Sequence, residues 1–129
     1  MADRSYVIHV VESDDAVCDS LQALLEAHGY GVETYGSSGL LVGRGTSDAM
    51  GCILLNLSPP DGKGASLVRE IRRRGIGLPV VATINEPDAA SEAEARRAGA
   101  VAVLTKPWDV RRLLAVLEDT KGSGLRLLP

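Results

Sequence analysis

The sequence predicts an α/β fold, a five-stranded parallel sheet with helices on both faces. Three observations predict it. Strand-like and helix-like segments alternate five times along 129 residues. The connections between them are short, as in consecutive crossover units. The run Cys52-Ile53-Leu54-Leu55 is apolar at every position, which marks a strand covered on both faces.

Taken in order, Tyr6–Val11 is an apolar, β-branched run and gives the first strand. Val17, Leu21, Leu24 and Leu25 then recur at helical spacing, and Gly29 after His28 suits a C-terminal cap. Gly31–Tyr35 is a short second strand. Ser37-Ser38 caps a second helix to about Gly43, followed by a loop over Gly45–Asp48. Gly51–Leu55 is the third strand, ending in the turn Pro59-Pro60-Asp61-Gly62. Leu67, Val68 and Ile71 form the inner side of a third helix. Arg72-Arg73-Arg74 closes it as a solvated, cationic C-terminus that suits the macrodipole, and Gly75 and Gly77 break the chain. Leu78–Thr83 is the fourth strand, Asp88–Ala98 an alanine-rich fourth helix stopped by Gly99, and Val101–Leu104 the fifth strand. Asp109 caps the fifth helix, whose apolar stripe is Val110, Leu113, Leu114 and Leu117. Lys121-Gly122-Ser123-Gly124 is flexible in composition. The expected division is a domain over 1–120 and a tail or the start of a linker over 121–129.

Composition narrows the function classes. The chain is 45% hydrophobic and 24% charged, a globular balance, and its net charge of -3 argues against a basic nucleic-acid-binding surface. No apolar run approaches the roughly 20 residues of a membrane span, and the first residues carry no signal-peptide pattern, so a cytoplasmic location is expected. Cys18 and Cys52 lack metal-ligand spacing and read as small hydrophobes. His9 and His28 have no partner at ligand spacing, so no metal role is assigned to either. No cofactor is expected: a flavin or nucleotide site would call for a G-x-G-x-x-G run after the first strand, which is missing.

In parallel sheets of this kind the functional crevice lies at the carboxyl ends of the strands. That singles out Glu12 and Ser13, Asn56, Ile84 and Asn85, and Thr105-Lys106-Pro107. Asn56 is the most informative. It ends the most buried strand, where a carboxylate would be a nucleophile, yet an amide has no anionic oxygen. An asparagine there also serves simply as a turn residue.

The stretches Val10-Val11-Glu12-Ser13, Asn56 to Gly64, Arg97-Ala98-Gly99-Ala100 and Thr105-Lys106-Pro107-Trp108, in this order and spacing, resemble the receiver domain of bacterial response regulators. The resemblance covers roughly residues 5 to 120. It falls in the CheY-like superfamily and is nearest the nitrogen-fixation regulator branch. It implies a flavodoxin-like sheet of order 2-1-3-4-5 flanked by five helices. It also implies a role in two-component phosphorelay signalling. In that family an acidic pair and an aspartate hold magnesium, and the aspartate accepts a phosphoryl group from a histidine kinase. A lysine contacts that group, and a hydroxyl and an aromatic residue relay the change.

Carried onto this chain, the acidic pair falls on Glu12 and Ser13 and the phosphoacceptor on Asn56. The lysine is kept as Lys106, followed by Pro107, whose peptide bond the resemblance implies is cis. Counted back from Lys106, the hydroxyl position falls on Ile84 and the aromatic one on Val103. Thr83 is one residue early and, by strand alternation, faces the other way from Ile84. Asp14 and Asp15 either cap the first helix or bend back to the pocket. Lys106 either pairs with Glu12, hydrogen-bonds Asn56, or is solvated.

The expectation is an atypical receiver that is no enzyme, is not phosphorylated at the usual site, binds no metal and acts through protein contacts. The competing reading keeps phosphotransfer, through deamidation of Asn56 or substitution by Asp14, Asp15 or Asp61. The face built from the fourth helix, fifth strand and fifth helix carries Arg96, Arg97, Arg111 and Arg112 beside Glu92, Glu94, Asp109 and Glu118. It is the expected contact surface for a histidine kinase, another response regulator or a second copy of the chain. The bland alternative for that surface is an ordinary solvated one.

Overall fold

The computed structural model describes residues 5–37, 39, 41, 50–57, 64–85 and 88–126. Five strands, β1 (Val7–Val11), β2 (Gly31–Tyr35), β3 (Gly51–Asn56), β4 (Val80–Ile84) and β5 (Ala100–Thr105), pair in parallel in the order β2-β1-β3-β4-β5. This is the doubly wound, flavodoxin-like arrangement, with β3 at its centre between β1 and β4. Among the described residues the helices are α1 (Asp15–Ala27), α2 (Gly64–Arg73), α3 (Ala89–Ala98) and α4 (Val110–Arg126). Most of the helix expected over 37–43 lies outside the described residues, so four helices stand where five were expected. The fourth and fifth helices of the sequence pattern are thus α3 and α4.

The sheet separates two apolar layers. On one face Cys18, Leu21 and Leu25 of α1 and Leu113 and Leu117 of α4 cover Ile8, Val10, Cys52, Leu54 and Val81. On the other, Val68 and Ile71 of α2 and Ala95 of α3 cover Ile53, Leu55, Ala82 and Val103. Strand residues therefore alternate between two cores rather than between core and water. Gly51 shows how tightly the central strands approach, since a Cβ there would collide with the Val7 carbonyl of β1.

Caps and turns set the ends. Asp14 accepts from Ala16 N at 2.9 Å and Val17 N at 3.2 Å and starts α1. Asp88 accepts from Ala90 N at 3.1 Å and Ser91 N at 3.3 Å and starts α3. Gly99 ends α3 at φ 123°, a conformation other residues avoid.

Several boundaries differ from the pattern. β4 begins at Val80, not Leu78, because Pro79 has no N–H and the Leu78 carbonyl is already bonded to Arg72. Arg72 is also not a solvated helix end. Its Nη1 donates to Ile76 O at 2.8 Å and Leu78 O at 2.7 Å and ties down the turn into β4. Arg73 and Arg74 do face water, each paired with Glu70. Val110 belongs to no apolar stripe, being 44% exposed, whereas Leu113 and Leu117 are fully buried.

α4 runs on through Lys121–Arg126, past the residues whose composition reads as flexible. A cluster at the amino end of the sheet holds it there. Tyr6 donates to Thr120 Oγ1 at 2.5 Å, and Thr120 donates to Leu117 O at 2.5 Å. Tyr30 donates to Glu118, and Lys121 Nζ sits 3.0 Å from Glu118 Oε2 and 5.5 and 5.0 Å from the Tyr6 and Tyr30 ring centres. Burial pushes the Tyr6 hydroxyl up to about 12 and raises Tyr30 further.

Thr120→Val removes the hydroxyl to which buried Tyr6 donates without changing side-chain shape. The expected loss is about 1–3 kcal/mol of unfolding free energy, read as a lower urea midpoint with an unchanged slope.

Candidate functional site

Glu12, Asn56 and Lys106 stand just after or at the end of β1, β3 and β5, and the parallel register brings them together. Glu12 is 6% exposed. A carboxylate this buried needs partners for both oxygens. Oε1 accepts from Lys106 Nζ at 3.2 Å. Oε2 accepts from Asn56 Nδ2 at 3.2 Å and from the backbone N–H of Asp14 at 3.1 Å. Because a carboxylate only accepts, it fixes the rotamer of Asn56, turning the NH₂ rather than the carbonyl oxygen toward Glu12.

Of the alternatives for Lys106, the pair with Glu12 is the one found. Its Nζ also lies 5.5 Å from the centre of the Trp108 ring, and the Lys106–Pro107 peptide is cis. A groove of about 530 Å³ opens beside it, lined by Val17, Asn85, Lys106, Pro107 and Trp108. Of the alternatives for Asp14, the helix cap is the one found. Asp15 lies in the first turn of α1, and Asp61 lies outside the described residues. Ser13 is exposed. Ile84 and Val103 are 5% and 6% exposed and belong to the apolar layer under α2 and α3. Thr83 is 2% exposed and is the register partner of Asn56 on β3. Alternation puts these two on the same face of the sheet, while Ile84 faces the other. The cysteines are free and buried, and Cys18 Sγ donates to Glu12 O at 3.3 Å.

A further buried polar group lies inside β1. His9 is fully buried in β1, and its Nδ1 is 3.0 Å from the Tyr35 hydroxyl. Tyr35 donates to Glu33 Oε2 at 3.3 Å, so the histidine nitrogen is the donor to tyrosine. The sequence shows no ligand spacing for His9. Only the β1–β2 register, which sets it opposite Glu33 and two residues from Tyr35, supplies its partners.

The response regulator receiver domain family matches residues 8–118. The chain belongs to that family. It is similar to the transcriptional regulatory protein FixJ of Azorhizobium caulinodans, 31% identical over 121 residues that cover 94% of this chain and 57% of FixJ. It is also similar to the response regulator protein TodT of Pseudomonas putida, 29% identical over 129 residues that cover 100% of this chain and 55% of TodT. The chain thus spans little more than half the length of these curated relatives. The crystal structure of FixJ-N superposes with a TM-score of 0.82 at 26% identity, covering 94% of this chain and 95% of that one. As a receiver, the domain is a module of two-component signalling.

The magnesium that receivers are expected to hold does not fit the residues present. Magnesium keeps octahedral oxygen ligation with one or two carboxylates. Among the described residues Glu12 is the carboxylate buried at the strand ends, and its two oxygens already accept an ammonium, an amide and a backbone N–H. No group of three or more His, Cys, Asp or Glu suited to a metal occurs among the described residues. No helix of the described residues is long and apolar enough to cross a membrane.

Lys106→Met leaves the Glu12 carboxylate buried without its cation, so it is expected to destabilise more than the double variant Glu12→Gln/Lys106→Met. The coupling between the two positions is expected at about 1–3 kcal/mol in a urea-denaturation double-mutant cycle.

Proposed function

We propose that this receiver is not switched by phosphorylation at position 56 and signals through protein–protein contacts instead. The observation that carries the reading is the Asn56 amide donating to Glu12. A phosphoacceptor needs an anionic oxygen free to attack phosphorus and a cation to offset the incoming charge. Asn56 supplies a neutral amide whose NH₂ is spent on Glu12. Lys106, which would meet the phosphoryl oxygens, is spent on the same carboxylate.

The rest of the relay supports the reading. Ser13 offers no second carboxylate for the acidic pocket. Ile84 and Val103, at the switch positions, have neither hydroxyl nor aromatic ring to move. The degenerate phosphoacceptor Asn56, the reduced acidic pocket Glu12 and Ser13, and the retained Lys106-Pro107 together describe a domain that keeps the scaffold and not the chemistry. It acts in the cytoplasm as a signalling module rather than an enzyme, without cofactor, membrane or nucleic-acid contact of its own. The proposed domain covers 1–120, and α4 continues past it through Arg126.

Its partners are a histidine kinase, another response regulator or a second copy of itself. The candidate face carries Arg96 and Arg97 on α3 and Arg111 and Arg112 on α4, all exposed. Glu92 holds Arg96 at 3.5 Å, and exposed Val110 adds an apolar patch beside Arg111. Mixed charges about an apolar spot suit a two-fold contact, where each arginine meets the other copy's carboxylates.

Incubated with magnesium and acetyl phosphate, the protein is expected to show an unchanged intact mass. A stoichiometric adduct, stable to acid and labile to base, would sink the reading. In sedimentation velocity at rising concentration, self-association is expected and Arg111→Glu is expected to weaken it. A monomer at every concentration, in both proteins, would count against the homodimer.

A further inference from the structure

We infer that the Lys106 ammonium and the Asn56 amide are the built-in counter-ion of Glu12, occupying the role a divalent cation would otherwise fill, so that this site is closed to magnesium. The inference rests on the reading of Asn56 given above and extends it from phosphate to metal.

Charge and geometry both point this way. Glu12 contributes one negative charge and Lys106 one positive, and Asn56 and Ser13 contribute none, so these four side chains together carry no net charge. Three donors within 3.1–3.2 Å already fill most of the acceptor capacity of the carboxylate. A divalent ion entering here would have to displace the ammonium, lose its own tightly held water and leave Lys106 facing a dication. In return it would gain a single anionic ligand. Each of these opposes binding.

The same geometry gives Asn56 a positive role. At 3.2 Å from Glu12 Oε2, a carboxylate in place of the amide would set two like charges at contact distance. Lys106 can neutralise one of them. The second needs another cation. Asn56→Asp therefore converts a self-neutralised site into one that calls for a metal.

The test uses thermal unfolding and the emission of Trp108, the one tryptophan of the chain, whose ring borders Lys106. Each protein is measured in chelator and in magnesium chloride at matched ionic strength. The wild type is expected to show the same melting temperature and emission in both. Asn56→Asp is expected to melt lower in chelator and to recover on adding magnesium. Asn56→Ala, which removes the donor without adding charge, is expected to melt lower with no magnesium response. A saturable magnesium response in the wild type overturns the proposal, as does an Asn56→Asp protein as stable as wild type in chelator. Should Asn56→Asp fail to fold in either buffer, the wild-type titration still decides. A magnesium response without an acetyl phosphate adduct overturns this assignment alone, and an adduct without a magnesium response overturns only the functional reading.

Discussion

A parallel sheet with helices on both faces has no dry-side, wet-side alternation to relieve it. Almost every side chain within β1, β3 and β4 is enclosed, so polar chemistry is driven to the strand ends. Glu12 is where this constraint is most acute. It follows β1 and is nearly fully enclosed. Burying a carboxylate is tolerated only with a counter-charge and hydrogen bonds. The chain meets that demand from three separate places: the end of β3, the turn after β5, and the backbone N–H of Asp14. The register of the sheet and the neutrality of the site are thus one condition. A slip of one residue between β1 and β3 would turn Asn56 to the other face and leave Glu12 short of a donor.

His9 obeys the same rule by a different route. Lying within β1, it has no strand end to escape to, and it is accommodated because β2 is an edge strand. Tyr35 stays enclosed against the core while Glu33 reaches partly into solvent, so the histidine is linked through a phenol to a half-wet carboxylate. At the opposite end of the sheet Tyr6 and Tyr30 anchor α4 in a comparable way, each hydroxyl meeting a side chain of that helix. Among the described residues these buried polar atoms each join two or three elements of the fold.

What could be read from the sequence follows the range over which each signal acts. The β-branched run of β1, the unbroken apolar stretch of β3 and the cap residues Asp14 and Asp88 are local, and each element they mark is present. Strand order was legible only through the family resemblance, because parallel order depends on crossovers that local patterning does not encode, whereas Glu12, Asn56 and Lys106 were singled out by their places at the ends of predicted strands. Three things were not legible. Arg72 in a run of arginines looks solvated, and only the turn that brings Ile76 and Leu78 back over it shows otherwise. The glycines at 122 and 124 argue against helix, but the anchors at Thr120 and Lys121 come from residues more than a hundred positions away. Val110 fits the helical period yet precedes the part of α4 that lies against the sheet.

The partner of Asn56 belongs to the same long-range class, and it changes what the residue means. Seen alone, an amide in place of a carboxylate is a deletion, a nucleophile removed. Seen against Glu12, it is a donor placed where the neighbouring carboxylate needs one. The distinction bears on how such a site persists. A site that had merely lost its aspartate would keep an uncompensated acidic pocket. Here the Glu12 carboxylate meets one ammonium and one amide, and Ser13 beside it is exposed. Fewer carboxylates need fewer cations, and Lys106 serves Glu12 as one. Glu12, Asn56 and Lys106 thus join the carboxyl ends of β1, β3 and β5, the sheet on which α3 and α4 present their exposed arginines.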